Sequence, residues 1–254
     1  MNTSRRNVVV TGAESGIGAA CAKIFGEAGD HVAILYHSDG TGAEASAEAV
    51  RQAGGEAITI QCSVDDEASV EAAFTQAETA RGPASVLVNS AGINMSGIPV
   101  REMELKIWTR MLATDLTGAF LTSRRFLRAI PGPGAIVHIS SIHAEAVRAG
   151  GADYCSAKGG LTNLVRTLAI EEAPNNVRVN AIEPGMILTP MNARAIDDIA
   201  YRKSLEANIP MKRAGRPEEV AYLARWLASN EAAYVTGASI VMDGGLSLLQ
   251  GVGA

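Results

Sequence analysis

Hydrophobic residues along the chain follow two alternating patterns. Seven short runs rich in Val, Ile and Ala are apolar on both faces, which is typical of strands in a parallel sheet that helices cover on both sides. These predicted strands span residues 7–11, 31–36, 57–61, 85–89, 135–140, 177–182 and 239–242. Between them, apolar residues recur at helical spacing. This spacing predicts helices over 17–28, 43–53, 68–81, 105–129, 156–173 and 217–228.

The alternation of strands and helices sets the fold class. Parallel strands joined through helices form right-handed crossovers, so the pattern predicts an α/β fold with a doubly wound parallel sheet of about seven strands. The 254 residues contain no Pro-, Gly- or Ser-rich linker, no charge block and no internal repeat. We therefore expect a single domain over residues 1–254.

Charge and composition exclude several classes of function. The formal net charge of -5 offers no general attraction to nucleic acid or to anionic lipid. The apolar run that follows Arg5 and Arg6 stops at Val10, which is too short for the core of a signal peptide, and no apolar stretch could span a bilayer. The three cysteines and four histidines have no metal-ligand spacing. These observations predict a cytoplasmic protein that binds no metal, no membrane and no nucleic acid.

A glycine-rich turn follows the first predicted strand and leads into a helix. Its sequence, TGAESGIG at 11–18, has the spacing G-x-x-x-G-x-G rather than the G-x-G-x-x-G of the best-known dinucleotide-binding turn. Glycines at such a turn let the backbone approach a pyrophosphate, whose charge the helix amides meet. The turn therefore predicts a cofactor-binding loop formed by Gly12, Ser15, Gly16, Ile17 and Gly18.

The end of the second strand bears on the choice between NAD and NADP. An acidic residue there would bind the adenosine ribose hydroxyls and repel a 2′-phosphate, but Tyr36 occupies the position. His37 and Ser38 could donate to a phosphate, whereas Glu14 and Asp39 would oppose one. The sequence favours NADP on this basis, with use of both cofactors, or no selective role for this loop, as the alternatives.

A second group of polar residues predicts acid–base chemistry. Tyr154 and Lys158 are four residues apart, so they share one helical face, and a nearby cation favours the phenolate form of a tyrosine. Ser141 follows the strand predicted over 135–140, at the carboxyl edge where open α/β sheets bind ligands. A hydroxyl there can hold a substrate oxygen while the phenol transfers the proton.

Together these motifs resemble the short-chain dehydrogenases/reductases over essentially the whole chain. The matching segments are TGAESGIG at 11–18, NSAG at 89–92, Ser141, YCSAK at 154–158 and PGMILT at 184–189. The resemblance implies one Rossmann-type domain, a nicotinamide cofactor (NAD or NADP), a small alcohol or carbonyl substrate and a homotetramer.

The same resemblance implies a role for each matching residue. Ser141 would orient the substrate, Tyr154 would act as the acid and base, and Lys158 would hold the nicotinamide ribose and favour the Tyr154 phenolate. Ser63 and Val64 would lie near the adenine, the former where the family commonly has an aspartate. The remaining implied contacts are Asn89, Ala91 and Gly92 along the adenosine and ribose, and Pro184, Gly185, Ile187 and Thr189 beside the nicotinamide.

Asp115 departs from the family pattern. The family usually has an asparagine here, to which the resemblance assigns a water that links Lys158 to solvent in a proton relay. An ionised aspartate loses the amide donor, keeps Lys158 protonated and partly cancels the field that favours the phenolate. We count Asp115 with the catalytic residues and expect an altered pH profile; an inactive enzyme is the alternative.

Within the family, several segments are similar to bacterial glucose 1-dehydrogenases. They are LTGAF at 116–120, SSIH at 140–143, YCSAKGG at 154–160, TPMNA at 189–193 and YVTG at 234–237. His143 and Asn192 match positions that line the sugar site, although His143 could instead cap a loop, and 190–211 would form a substrate lid. The resulting hypothesis is NAD(P)-dependent oxidation of a sugar or polyol such as glucose. The alternatives are reduction of a 3-oxoacyl thioester or other ketone, and a catalytically weakened nucleotide-binding regulator.

Overall fold

A computed structural model describes residues 5–249 of the chain. Its centre is a seven-stranded parallel sheet with the order β3-β2-β1-β4-β5-β6-β7. The strands are β1 (Asn7–Thr11), β2 (His31–Tyr36), β3 (Glu56–Gln61), β4 (Val86–Asn89), β5 (Gly134–Ile139), β6 (Val177–Pro184) and β7 (Ser239–Met242). The predicted α/β class, parallel sheet and strand number are confirmed.

Helices cover both faces of the sheet. They are α1 (Gly16–Glu27), α2 (Gly40–Gln52), α3 (Glu67–Arg81), α4 (Leu105–Leu112), α5 (Gly118–Ala129), α6 (Ala152–Glu172), α7 (Ala193–Asp197), α8 (Ile199–Glu206) and α9 (Pro217–Leu227). One core layer contains residues of α1, α2 and α9, and the other contains residues of α3, α5 and α6. Val8, Val9 and Val10 are all buried, because consecutive side chains of β1 enter opposite layers.

The strand order reverses between β1 and β4. From β1 the chain continues outward through β2 and β3, then returns to place β4 on the other side of β1. At such a switch point the loops that follow the two strands diverge, and an open sheet forms a crevice at its carboxyl edge. The glycine-rich turn and the NSAG segment follow these two strands, so the topology brings them together.

The largest differences from the predicted helix bounds concern the segment predicted over 105–129 and helix α6. The single helix predicted over 105–129 is interrupted by a π turn at Ala113–Thr117, which lies between α4 and α5. A π turn adds one residue per turn and occurs frequently at functional sites, and here it contains the buried Asp115. Helix α6 begins at Ala152, four residues before the predicted start, so that Tyr154 lies in its first turn. Within residues 5–249, no helix combines the length and the apolar character required to cross a membrane.

Candidate active site

A cleft of about 380 Å³ opens at the carboxyl edge of the sheet. This volume is within the range of small-molecule and cofactor sites. The predicted site residues that line the cleft are Gly12, Ser15, Gly16, Ile17, Gly18, His37, Ser38, Val64, Ala91, Gly92, Asp115, Ser141, Tyr154, Lys158, Pro184, Gly185, Ile187, Thr189 and Asn192. The fold therefore brings most of the predicted cofactor and catalytic residues into one cavity.

Two glycines of the glycine-rich turn, Gly12 and Gly18, have no room for a side chain. Gly12 has a φ of +63°, and a Cβ on it would lie 2.7 Å from the Cα of Ala91. A Cβ on Gly18 would overlap the carbonyl oxygen of Gly12. Ser15 is the N-cap of α1, but its side chain makes no capping hydrogen bond. The first-turn amides of α1 thus have no capping side chain, and with the helix dipole they suit the pyrophosphate of a nicotinamide dinucleotide.

Thr11 joins the two loops of the crevice. Its hydroxyl oxygen accepts hydrogen bonds from the backbone N–H of Ser90 (3.0 Å) and of Ala91 (3.1 Å). The side chain is buried at the end of β1. It therefore fixes the NSAG turn against the glycine-rich turn. Sequence reasoning included Thr11 in the motif without assigning it this role.

Three predicted catalytic side chains share the cleft. Tyr154 and Lys158 occupy the buried face of α6, and the ammonium Nζ lies 5.4 Å from the centroid of the phenol ring. Ser141 follows β5, and its hydroxyl oxygen accepts a hydrogen bond from the backbone N–H of His143 (3.2 Å). A hydroxyl, a phenol and a cation in one crevice can hold a substrate oxygen and exchange a proton with it.

The ammonium of Lys158 is held by two oxygens. It lies 3.1 Å from Asp115 Oδ2 and donates a hydrogen bond to the carbonyl oxygen of Ile139 at 3.3 Å. Only 4% of Lys158 is exposed, and burial on its own would lower its pKa. The attraction of Asp115 and Tyr154 outweighs that effect and raises the pKa of Lys158 above its usual value. Lys158 is therefore a cation at neutral pH.

Asp115 makes contacts on both sides of its carboxylate. Oδ2 faces Lys158, and Oδ1 accepts a hydrogen bond from the backbone N–H of Ile93 at 2.8 Å. The residue is 2% exposed, and a Cβ on Gly92 would lie 2.8 Å from Oδ2. The aspartate thus joins the catalytic lysine directly to the turn after β4. The sequence predicted a charge near Lys158, but it did not predict a direct ion pair.

A neutral polar network lies beneath the cleft. His138 on β5 is fully buried, and burial together with the charge of Lys158 lowers its pKa to about 3. Its ring lies 3.4 Å from the amide nitrogen of Asn89, which donates to the Ser123 hydroxyl. The Asn89 carbonyl accepts a hydrogen bond from the Thr122 hydroxyl at 2.7 Å. Asn89 was predicted to line the adenosine, but its side chain is engaged in this network and does not line the cleft.

Two further predicted cofactor residues lie outside the lining of the cleft. The phenol of Tyr36 packs against Gly40 at the start of α2. The Ser63 hydroxyl donates a hydrogen bond to the carboxylate of Asp65 at 3.0 Å. Val64, the neighbour of Ser63, does line the cleft.

The two predicted substrate residues each have one side-chain donor engaged. His143 also lies outside the lining; its Nδ1 is 2.6 Å from the carbonyl oxygen of Ala146, so it acts as the donor. Its ring meets the Tyr154 ring edge-on at a centroid distance of 6.2 Å. The amide nitrogen of Asn192 donates to the carbonyl oxygen of Ile187 at 2.8 Å. In the tautomer that donates through Nδ1, His143 Nε2 is a hydrogen-bond acceptor, and Asn192 keeps Oδ1 as an acceptor.

Asp153 is a positioning residue that sequence reasoning missed. It is fully buried; Oδ1 accepts a hydrogen bond from the backbone N–H of Tyr154 (2.8 Å), and Oδ2 accepts one from Ser96 (3.2 Å). It therefore fastens the loop before α4 to the first turn of α6. An acidic residue in the first turn of a helix is the sequence signal that could have found it. Other lining residues without a predicted role include Arg110, Thr114, Ile139, Ser140 and Met191.

Segment 190–211 lies at one border of the cleft. It consists of a short turn at Pro190–Asn192 followed by α7 and α8. Met191 and Asn192 line the cleft, and the carbonyl oxygen of Met191 accepts a hydrogen bond from the Asn94 amide at 3.4 Å. Much of this segment is therefore helical.

Comparisons with known proteins agree with this geometry. A family model described as enoyl-(acyl carrier protein) reductase matches residues 12–247. The chain is 40% identical over 249 residues to 3beta-hydroxysteroid dehydrogenase 1 of Eggerthella lenta, covering 97% of this chain and 95% of the relative. It is 38% identical over 246 residues to glucose 1-dehydrogenase 2 of Bacillus subtilis, covering 96% and 95% of the two chains.

Solved structures of dehydrogenases and reductases have the same fold as this chain. A short-chain dehydrogenase/reductase from Serratia marcescens superposes with a TM-score of 0.90 at 34% identity, covering 95% of this chain and 98% of the other. Acetoin dehydrogenase YohF from Salmonella typhimurium superposes with a TM-score of 0.87 at 32% identity, covering 96% and 98%. On sequence, fold and site geometry together, this chain belongs to the short-chain dehydrogenase/reductase family and is an oxidoreductase.

Proposed function

We propose that this oxidoreductase interconverts a secondary alcohol and a carbonyl with NAD or NADP, and that a sugar or polyol such as glucose is its substrate. The observation that carries the proposal is the convergence of Ser141, Tyr154 and Lys158 in the cleft that also contains the glycine-rich turn. The nicotinamide supplies the hydride acceptor or donor when it is bound.

The protein side chains have separate tasks in this proposal. Ser141 holds the substrate oxygen, and Tyr154 removes its proton during oxidation and returns it during reduction. Lys158 keeps its positive charge 5.4 Å from the phenol ring, which favours the phenolate that oxidation requires. Asp115 holds Lys158 in place and weakens its field at the phenol.

Two hydrogen-bond acceptors support a hydroxylated substrate: one on His143, whose ring meets the Tyr154 ring edge-on, and one on Asn192, which lines the cleft. His143 Nε2 and Asn192 Oδ1 are the atoms left free after their partner atoms bind backbone carbonyls. Both would accept hydrogen bonds from hydroxyl groups. The likeness to a glucose 1-dehydrogenase points in the same direction. Segment 190–211 would cover the substrate as a lid.

A ketone or a 3-oxoacyl thioester is the alternative substrate. Relatives named for a hydroxysteroid and for acetoin support this possibility, because their names refer to alcohols other than sugars. A regulator that binds nucleotide without turnover is supported by one observation, the direct ion pair between Lys158 and Asp115.

A spectrophotometric screen at 340 nm tests these possibilities. Both cofactors are offered with glucose, other aldoses, polyols and simple secondary alcohols, and the reverse reaction is run with ketones and 3-oxoacyl thioesters. Turnover of aldoses supports the sugar proposal if His143→Ala or Asn192→Ala lowers kcat/KM for the aldose, mainly by raising KM. Turnover of ketones or thioesters alone contradicts it. NADH binding without any turnover supports the regulator.

We also propose a homotetramer. Several large apolar side chains are exposed. Ile170 lies on α6, Val241 lies on β7, and Tyr234 and Leu248 lie in the segments before and after β7. A second copy of the chain would cover them. Light scattering on the purified protein tests this, and a monomeric or dimeric mass at micromolar concentration contradicts it.

A further inference from the structure

Glu14, in the glycine-rich turn, extends its carboxylate to the end of β2. Oε1 accepts a hydrogen bond from the backbone N–H of His37 at 3.2 Å. Oε2 is buried, and among the described residues no hydrogen-bond partner faces it. Glu14, Ser15, His37 and Ser38 all line the same part of the cleft wall. A buried carboxylate oxygen without a donor is costly, and because Oε2 is closed to solvent here, a donor in the cleft would reach this carboxylate at Oε1 or after the side chain turns.

This location has a specific meaning in dinucleotide-binding folds. An acidic residue at the end of β2 binds the ribose hydroxyls of the adenosine half and disfavours a 2′-phosphate. Here the β2 strand itself provides no such group. Tyr36 packs against Gly40, and Asp39 is the N-cap of α2, where Oδ1 accepts from the Gly42 N–H at 2.9 Å. Glu14 therefore brings a carboxylate to this place from a different segment.

We propose that Glu14 binds the adenosine ribose hydroxyls and makes this enzyme prefer NAD to NADP. An ionised carboxylate only accepts hydrogen bonds, which matches the donors of a ribose diol. A 2′-phosphate would remove one of those donors and place an anion against the carboxylate. The inference rests on the proposed use of a nicotinamide cofactor. It favours the opposite choice from the one predicted on His37 and Ser38.

The charged residues around this part of the cleft also favour NAD over NADP. Asp65 also lines the cleft, so the acidic residues from the glycine-rich turn and from the loop after β3 add their charges. Among the described lining residues, Arg110 and Lys158 are the cations, and they come from α4 and α6 rather than from β2 or the glycine-rich turn. Lys158 is already paired with Asp115. A 2′-phosphate at the end of β2 would therefore meet carboxylates without a lysine or arginine from these segments.

The test compares the Kd values of NADH and NADPH, measured by nicotinamide fluorescence, in wild type, Glu14→Gln and Glu27→Gln. Glutamine keeps the acceptor for His37 and removes the charge. Glu27 is the exposed last residue of α1, so its variant has the same change of charge at the other end of that helix. We expect wild type to bind NADH at least tenfold more tightly than NADPH. In Glu14→Gln this ratio should fall by on the order of tenfold, the effect of one charged hydrogen bond.

Five outcomes decide the inference. An unchanged ratio in Glu14→Gln, or equal or tighter binding of NADPH by wild type, overturns it. A similar fall in Glu27→Gln also overturns it, because the effect would then reflect net charge. Wild type that binds neither cofactor overturns the proposed function and this inference together. Selective NADH binding that Glu14→Gln weakens, without turnover of any alcohol or ketone, overturns only the proposed chemistry and supports the role of Glu14.

Discussion

Replacing Asp115 by asparagine removes one negative charge beside the catalytic lysine and leaves the shape of the side chain nearly unchanged. The carbonyl of the new amide can still accept the hydrogen bond that Oδ1 receives from the Ile93 N–H at 2.8 Å. The position of Oδ2, 3.1 Å from Lys158 Nζ, is where the charge is lost. The variant therefore tests electrostatics separately from packing.

Two effects of this charge act in the same direction. At 3.1 Å the attraction between Asp115 and Lys158 is about 5 kcal/mol at an effective dielectric constant of about 20, against which the burial of the lysine works. Without Asp115, the ammonium loses its proton at lower pH. The second effect concerns the phenol, whose ring centroid lies 5.4 Å from Lys158 Nζ: without the carboxylate, nothing partly cancels the field of the ammonium, and that field favours the phenolate.

We therefore expect Asp115→Asn to shift the alkaline limb of the oxidation profile to lower pH, by about one pH unit. The assay is the initial rate of alcohol oxidation at saturating cofactor across the alkaline range, with wild type and Glu27→Gln measured in parallel. Glu27→Gln loses the same charge from an exposed position and should leave the profile in place. An unchanged limb, or a shift to higher pH, in purified Asp115→Asn would refute the reasoning.

Three further predictions concern the phenol, the glycine-rich turn and the start of α9. Tyr154→Phe should lower kcat by about 10²- to 10⁴-fold while NADH binding, followed by fluorescence, persists. Gly18→Ala should weaken NADH binding by more than tenfold with an unchanged circular dichroism spectrum, because the added methyl group overlaps the Gly12 carbonyl. The Arg213 guanidinium lowers the pKa of Glu219 to about 2, so this carboxylate stabilises the fold above its ordinary pKa of 4.5. Glu219→Gln should lower Tm at pH 7, and the difference should narrow as the pH falls below 4.5.

Most of the fold could be predicted because its strands are buried on both faces. Each observed strand begins and ends within two residues of its predicted bounds. Consecutive apolar residues such as Val8 to Val10 suit a parallel strand that is buried on both faces, and they would not suit an element with one face in solvent. The π turn at Ala113–Thr117 could not be predicted in this way. Its residues have ordinary helical composition, and the contacts that accompany the extra residue, from Asp115 to Ile93 and Lys158, join segments far apart in the chain.

In the candidate site, too, local sequence patterns could be predicted and contacts between distant segments could not. Tyr154 and Lys158 were found because one helical turn joins them, and their shared cleft with Ser141 follows from the order of the strands. The contacts from Asp153 to the Ser96 N–H and from Thr11 to the loop after β4 depend on which loops the tertiary fold brings together. Spacing along the chain carries no information about such pairs. Sequence reasoning therefore found the groups proposed for the chemistry and missed the groups that position them.

The proposal for Glu14 shows how a cofactor prediction that is based on one position can leave out a charge from another segment. The sequence argument looked for an acid on β2, found Tyr36 and therefore favoured NADP. What a ribose hydroxyl or a phosphate responds to, however, is charge at a point in space, whichever segment supplies it. Glu14 supplies a carboxylate there through its contact with the His37 N–H, 23 residues away in the chain. A substitution that restored an acid at position 36 would on this view change the NADH-to-NADPH ratio less than the loss of Glu14 does.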